Sequence, residues 1–489
     1  MVTALFCAIF SLVIIYYCWR VRCPAKLPGP WGLPILGYLP FISPQAPHAT
    51  FAQLAEKYGP IFQLQMGNVP CVVLSDPELV KQCFAKHEST GRAPLYLTHG
   101  IMHGFGLISA QGERWRIQRK FTQEFMRNCG MSKFNSSLKF GRLEEKVISC
   151  MEIFLEELNG LESLDSHVLD KRLSHTVGNM MNEILFGMNY VENDPNWVKI
   201  QNLREAGIKE IQVATPVNFL PWLRHLVPKF KHTLQWMIQG KLETHAEYKK
   251  VIDTYGAMND DCIAGFFYRK KSNLEQSNSP DLEYFSNEQL YHLVGDLFGA
   301  GLDTTLTTLK WAILYLASFP EAQNIIREEL KGKAISFQSQ FEMPKTMSIL
   351  TEIQRLCPVV PLGVPHGALE DFVLDSKWSI GKGSMIMVNH WSINLNPKYF
   401  EDPLKFKPLR FIVDNVEFKK SPYLMPFQVG RRSCVGEDFG TTMVFIGVTK
   451  LISNFLIGMK STYSFELEPP QGFTRSPNEF TLSLKAISD

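Results

Sequence analysis

The stretch Phe427-Gln428-Val429-Gly430-Arg431-Arg432-Ser433-Cys434-Val435-Gly436 is where this 489-residue chain concentrates residues that could do chemistry. A cysteine stands between two glycines, with Arg432 just before it and Phe427 further upstream. The glycines let the backbone turn tightly and approach a flat macrocycle. Arg432 offers a rigid fork of donors suited to a haem propionate. The amides after Cys434 can point at its sulfur and temper the charge of a thiolate, which tunes any iron it holds. Thiolate ligation pushes electron density onto haem iron and favours O–O cleavage. For Cys-x-Gly alone, a buried structural cysteine beside a turn is the simpler reading. The whole string is much rarer.

A second cluster is Gly299-Ala300-Gly301-Leu302-Asp303-Thr304-Thr305, inside the longest helical pattern of the chain. Glycine costs about 1 kcal/mol in a helix, and acids and hydroxyls compete with helical hydrogen bonds. Two explanations stand: close packing on a neighbouring helix, or a helix that loosens to leave a pocket. A dinucleotide loop is rejected, because the third glycine is missing and no strand precedes. Glu352 and Arg355 share one helix face, which in isolation is usually a solvated ion pair. Trp115 and Arg119 also share a face, and both are donors suited to carboxylates. Arg92, in Gly91-Arg92-Ala93-Pro94, and His366, in Gly363-Val364-Pro365-His366, read singly as surface residues. With Trp115, Arg119 and Arg432 they make a physically sensible donor set for two carboxylates.

Over nearly its whole length the chain resembles cytochromes P450 of the microsomal type. The resemblance implies a mainly α (α+β) fold with small β-sheets and an N-terminal membrane helix. It implies haem b with Cys434 as axial ligand, and Arg92, Trp115, Arg119, Ala300, His366, Phe427, Arg432 and Gly436 against the cofactor. Asp303 and Thr304 resemble the family's acid–alcohol pair, which relays protons to dioxygen. Glu352 and Arg355, with Arg410 of Lys407-Pro408-Leu409-Arg410-Phe411, resemble its structural Glu–Arg–Arg network. The implied activity is monooxygenation of an apolar small molecule with O2 and NADPH-derived electrons. No flavin or nicotinamide fingerprint is evident, so the electrons come from a separate NADPH–cytochrome P450 reductase, with cytochrome b5 a further candidate. Arg431, Arg116 and Lys120 are candidate docking charges, though a solvated face explains them equally well. Two departures stand out: Leu409 replaces a common acid before Arg410, and the Glu329–Glu352 link is short for the family.

The elements that must position these groups are mostly helical. Periodicity predicts helices near 77–86, 112–127, 139–158, 169–187, 197–212, 228–255, 321–331, 344–357 and 437–456. The longest runs from Ser286 to Phe319, with a capping box at Ser286 and Gln289 and a stop at Pro320. Short strands are predicted at 61–65 and 71–74, and strand-like pieces near 371–380, 384–389 and 478–486. Pro216, Pro221 and Pro228 break the chain around Val217-Asn218-Phe219-Leu220, an apolar piece suited to a cavity or a membrane.

No linker or internal repeat divides the chain, and 45% hydrophobic with 20% charged residues is ordinary for a globular body. A net charge of +2 gives no case for a nucleic-acid partner. The ten cysteines have no C-x-x-C pair, so they read as reduced thiols facing the cytosol, and a haem would be held non-covalently. Val2 to Trp19 is almost wholly apolar and is followed by Arg20, Arg22 and Lys26. As a helix it would span about 27 Å, enough for the endoplasmic reticulum bilayer. A cleaved signal peptide is the competitor; no basic leader or clear cleavage site supports it. The organisation expected is a signal-anchor at 1–20, a proline-rich hinge at 21–40 and a catalytic body at 41–489. Positive charges after the anchor place that body in the cytosol.

The run Gly91 to Phe121 and the segment Pro216 to Pro221 resemble arthropod P450s that hydroxylate ecdysteroid precursors at side-chain carbon 25. An ecdysteroid 26-hydroxylase and a broad xenobiotic or fatty-acid P450 are the alternatives, and a non-catalytic haem sensor is the competitor from another class. The expected substrate pocket comprises Thr98, His99, Met102, Phe105, Leu297, Val364, Phe473 and Thr474.

Overall fold

The computed structural model describes residues 10–11, 14, 27–129, 140–210, 215–257, 259–465 and 474–487. Most of the anchor and residues 21–26 of the hinge fall outside that set, as does Phe473. Among the described residues no helix is long and apolar enough to cross a membrane.

Fourteen helices are used below: α1 Pro47–Tyr58, α2 Pro77–Ala85, α3 Gly112–Asn128, α4 Phe140–Leu158, α5 Ser166–Phe186, α6 Pro195–Glu210, α7 Pro216–Phe219, α8 Pro228–Val251, α9 Ile263–Gln276, α10 Asn287–Ser318, α11 Pro320–Leu330, α12 Pro344–Leu356, α13 His390–Asn394 and α14 Glu437–Asn454. The main sheet joins β1 Ile61–Met66, β2 Val69–Leu74, β3 Gly91–Arg92, β5 His366–Gly367 and β8 Met385–Val388 in the order β1-β2-β8-β5-β3. The short strand β4 Ser163–Asp165 pairs with Thr481–Ala486, which pairs in turn with Phe455–Met459, and β6 Phe372–Leu374 pairs with β7 Trp378–Ile380.

Both faces of the main sheet are covered, and strand alternation sorts the side chains between them. Ile61, Val72, Leu74, Ile386 and Val388 point one way, onto Leu79, Val80 and Phe84 of α2. Phe62, Leu64, Val73 and Met387 point the other way, onto Phe51 and Leu54 of α1. That second face also receives Leu39 and Ile42 from the N-terminal side, and Phe219 and Leu220 from the α7 segment. Each such fully buried side chain is worth roughly 1.5–3 kcal/mol.

The helical half is built around α10, about 48 Å long at 1.5 Å per residue. From Leu302 to Ala317 it is buried on nearly every side, so it runs through the core and not over it. Ser286 caps its start, accepting from Gln289 N at 3.1 Å, and α11 begins at Pro320, where the sequence placed the stop. At Gly447 of α14 the missing side chain makes room for Leu309, since a Cβ there would lie 2.8 Å from Leu309 Cδ2.

Three expectations need correcting. The helix predicted through residue 456 ends at Asn454, because Phe455–Met459 pairs as a strand with Thr481–Ala486. The helix predicted to 255 leaves α geometry at Val251, continuing as a wider π turn over Ile252–Gly256. The glycine cluster does not loosen α10, which is continuous α-helix from Asn287 to Ser318. Thr304 and Thr308 turn their hydroxyls onto the carbonyls of Ala300 and Thr304, both at 2.7 Å, so these side chains bond within the helix.

Candidate functional site

Cys434 lies at the mouth of α14, with Gly436 as the residue that caps the helix. The Gly436 amide hydrogen-bonds the Cys434 sulfur, as the sequence suggested, and the helix N-terminus favours negative charge there. The Cys434 amide donates to Phe427 O at 2.9 Å, closing the loop on itself. Gly430, at φ 80°, lies so near Phe84 O that a Cβ would come within 2.1 Å of it. Among the seven described cysteines, Cys434 alone is exposed. Even so, surrounding protein desolvates its thiol and raises the pKa, while Arg119 pulls the other way. Cys434 is thus exposed as a residue while its thiol is crowded by surrounding protein.

The predicted donors converge. The pairing of β3 with β5 sets Arg92 opposite His366. Arg432 lies over the Trp115 ring at 4.4 Å, and Arg119 lies 6.0 Å from the same ring and 3.3 Å from Ser433 Oγ. Arg432 Nε donates to Thr90 O at 2.8 Å and Nη2 to Ala110 O, while the buried Nη1 has no partner among the described residues. The Arg432 pKa is depressed first by burial, then by Arg92 and Arg119; burial likewise depresses that of Arg92. A guanidinium stays charged in proteins. Three arginines crowded in this way therefore demand anions, and the carboxylate acting on Arg92 is Asp296. His366 stacks on Phe84 at 3.8 Å, with Nδ1 facing Ser89 O at 2.9 Å and Nε2 facing Gln428 Oε1 at 3.3 Å. Burial, then Arg92, holds its pKa down near 3, so it is a neutral imidazole here.

On α10, the two glycines of the 299–305 cluster have different reasons. A Cβ on Gly301 would strike Met181 of α5 at 2.6 Å, which is the packing explanation. A Cβ on Gly299 would meet nothing within 4 Å, and the neighbouring Ala300 is exposed, so this stretch faces open space. Asp303 is paired with Arg204 of α6, which also binds Gln201 Oε1 at 2.8 Å. Burial pushes the Asp303 carboxyl up to about 6, with Arg204 opposing. Sequence reading missed Arg204, because 99 positions separate the two and nothing local marks them as partners.

The Glu–Arg–Arg network forms in full. Arg355 grips Glu352 with two bonds of 2.8 and 2.9 Å, and Arg410 Nε reaches both Glu352 oxygens at 2.9 Å. Glu352 and Arg355 are entirely buried, and Arg355 Nη1 also ties down Asn394 O and Pro403 O. Leu409, the departure, is exposed and disturbs nothing. The short link closes because Glu329 accepts from the amides of Lys345 and Thr346 at 2.9 and 2.7 Å, capping α12 from a distance.

The expected pocket residues are spread over several segments. Thr98 and His99 belong to a wide π turn over Leu97–Ile101, ended by Met102 and packed on α7 and α8, with Leu97 N bonded to Asn218 Oδ1 at 3.2 Å. His99 is held by the Arg92 backbone. Phe105 stacks on His292 of α10 at 5.4 Å. Leu297 is half-buried on α10, Val364 O receives Gln428 Nε2 at 3.3 Å, and Thr474 is buried.

These residues fit a haem. An orphaned buried donor on Arg432, a surplus of arginines and an accessible cysteine at a helix mouth would hold two propionates and an iron. Cys434 would ligate the metal, and Arg92, Trp115, Arg119 and Arg432 would hold the carboxylates. Comparison with known proteins agrees. Residues 27–484 match the cytochrome P450 family. The chain is 35% identical to cytochrome P450 306a1 of Drosophila melanogaster, over 96% of this chain and 91% of the relative. It is 27% identical to cytochrome P450 18a1 of the same organism, over 96% and 89%. It is 30% identical to human cytochrome P450 2J2, over 92% and 89%. The chain belongs to the cytochrome P450 family, and is accordingly a monooxygenase using haem b, O2 and reductase-supplied electrons from NADPH.

Proposed function

From that membership we propose that the chain hydroxylates an ecdysteroid precursor on its side chain, at carbon 25. The observation that carries this is the likeness of Gly91–Phe121 and Pro216–Pro221 to arthropod enzymes of that class, with insect proteins among the relatives. Both segments meet in the structure: Asn218 holds Leu97, and Val217, Ile101, Leu234 and Met237 form one apolar cluster. In this reading the cluster would back a wall suited to a rigid apolar molecule with few polar contacts. A 26-hydroxylase or a broad lipophile oxidase would use the same wall. Spectral titration separates them. Ecdysteroid precursors should shift the haem spin state at micromolar concentration, and unrelated lipophiles should not. The reverse pattern would reject the steroid.

We further propose Cys434 as the iron ligand, Asp303 and Thr304 as the proton relay, and Glu352, Arg355 and Arg410 as scaffold. When bound, the haem supplies oxygen activation, and the protein supplies binding, orientation and protons. Asp303, near neutrality in pKa, can both gain and lose a proton at working pH, and Thr304 follows it directly in the helix. Replacing Arg204 by methionine removes the cation that favours the Asp303 carboxylate, so the pKa should rise. The limb of product formed per NADPH that Asp303 governs should therefore move to higher pH by about one unit. An unmoved limb would detach Arg204 from the relay.

A membrane anchor at 1–20, a hinge at 21–40 and a cytosolic body on the endoplasmic reticulum complete the reading. Supporting it, exposed Leu33, Ile35 and Phe41 lie in the segment whose Leu39 and Ile42 pack with Phe219 and Leu220, close in sequence to exposed Trp222 and Leu226. Two exposed apolar segments sharing one core cluster suit a lipid surface. Of the reductase-docking candidates, Arg431 and Lys120 are exposed, while Arg116 is already paired with Glu113.

A further inference from the structure

Ser286 and Gln289 begin like a capping box, but only half of the box forms. The Gln289 side chain turns instead to Gly106, donating to its carbonyl at 2.9 Å and accepting from its amide at 3.1 Å. Seven residues on, Asp296 Oδ2 accepts from Leu107 N and from Ile108 N, both at 2.7 Å. Bonds to a carboxylate of this length are charge-assisted and among the stronger ones in proteins. The backbone can come so near because residue 106 is glycine at φ 80°, where a Cβ would lie 2.2 Å from Asp296 Oδ2. Between the two contacts, Phe105 stacks on His292, and Arg114 lies over the Phe105 ring at 4.3 Å. The far side of the same loop is held by Arg92, whose Nε donates to Ile108 O at 2.7 Å and whose charge Asp296 favours.

We propose that Gln289 and Asp296 are positioning residues that fix the 104–108 loop onto α10. The loop then offers substrate one rigid wall, and Arg92 couples that wall to the propionate end of the haem. The part about substrate rests on the function proposed above. The clamp itself does not.

Hydrogen exchange reports the clamp without any ligand. Amides of residues 106–108 should be protected in the wild-type holoenzyme, and Asp296→Ala should speed their exchange about tenfold or more. Asp296→Asn keeps an oxygen able to accept both amides, so most of the protection should remain. Function is read with two iron-ligating probes. Imidazole, too small to touch the wall, should bind wild type and variants alike. Clotrimazole, bulky enough to reach the proposed wall, should bind Asp296→Ala about tenfold more weakly, because the loop must be ordered on binding. If Asp296→Ala fails to retain haem, Gln289→Ala and Asp296→Asn carry the same comparison, with smaller changes in the same direction. Unchanged exchange overturns the clamp. Faster exchange with unchanged clotrimazole affinity overturns its role in the wall. Neither readout uses a steroid, so the steroid assignment and the clamp can fail separately.

Discussion

Replacing Cys434 by serine abolishes the carbon monoxide difference band of thiolate-ligated haem, and turnover with it. The expectation is all-or-none because the alternatives are few. Of the other described cysteines, Cys71, Cys83, Cys150, Cys262 and Cys357 are buried, and burial raises the pKa of each of those thiols. Cys262 also caps a helix, α9, and its sulfur meets the Ala264 and Gly265 amides, but it is buried, whereas Cys434 combines the Gly436 amide with exposure. A serine hydroxyl keeps the shape but ionises far less readily than a thiol. The variant should still fold, since the loop is closed by backbone bonds from Cys434 N to Phe427 O and from Arg431 N to Phe84 O. An unchanged band in Cys434→Ser would sink the assignment of the ligand.

Glu352→Ala should be the most damaging change outside the haem loop. It would leave Arg355 wholly buried without its carboxylate, and Arg410 would lose the same partner. Removing one member of a buried ion pair typically destabilises by roughly 3–5 kcal/mol, against a total of about 5–15 kcal/mol for most domains. Little haem-loaded protein should accumulate, as measured by the carbon monoxide band per milligram. Glu328, whose contact with Lys331 is exposed at both ends, provides the control. Losing that surface pair should shift stability by less than about 1 kcal/mol. Equal haem loading in the two variants would mean that Glu352 is not a folding element.

Local signals carried the elements whose causes are local. Strands 61–66 and 69–74 are bounded by glycine and proline, and α10 has a hydroxyl at its start and a proline after its end. The residues proposed around Cys434 could be picked out locally because that loop is continuous in sequence. Other parts were set by distant partners. Phe455–Met459 is a strand because residues 481–486 lie beside it, and nothing in its own residues says so. The two-residue strands β3 and β5 carry no periodicity, yet their pairing sets Arg92 opposite His366. Helices α1 and α9 were not anticipated: α1 follows a proline-rich stretch, and α9 has its core residues at only one end. The Ser286–Gln289 pattern pointed to a local cap, but Gln289 finds a better partner in Gly106, 183 positions away. Gly301 illustrates the opposite lesson. Its plain explanation, packing on Met181, is sufficient, and the open stretch at Gly299 and Ala300 is what remains for function.

The most direct test of the account is turnover of an ecdysteroid precursor by the full chain with NADPH–cytochrome P450 reductase, under isotopically labelled dioxygen. The expected result is a single product carrying one labelled hydroxyl, at side-chain carbon 25, whose formation is lost in Cys434→Ser. A mixture of oxidised positions, or unlabelled or absent product alongside brisk oxidation of unrelated lipophiles, would contradict it.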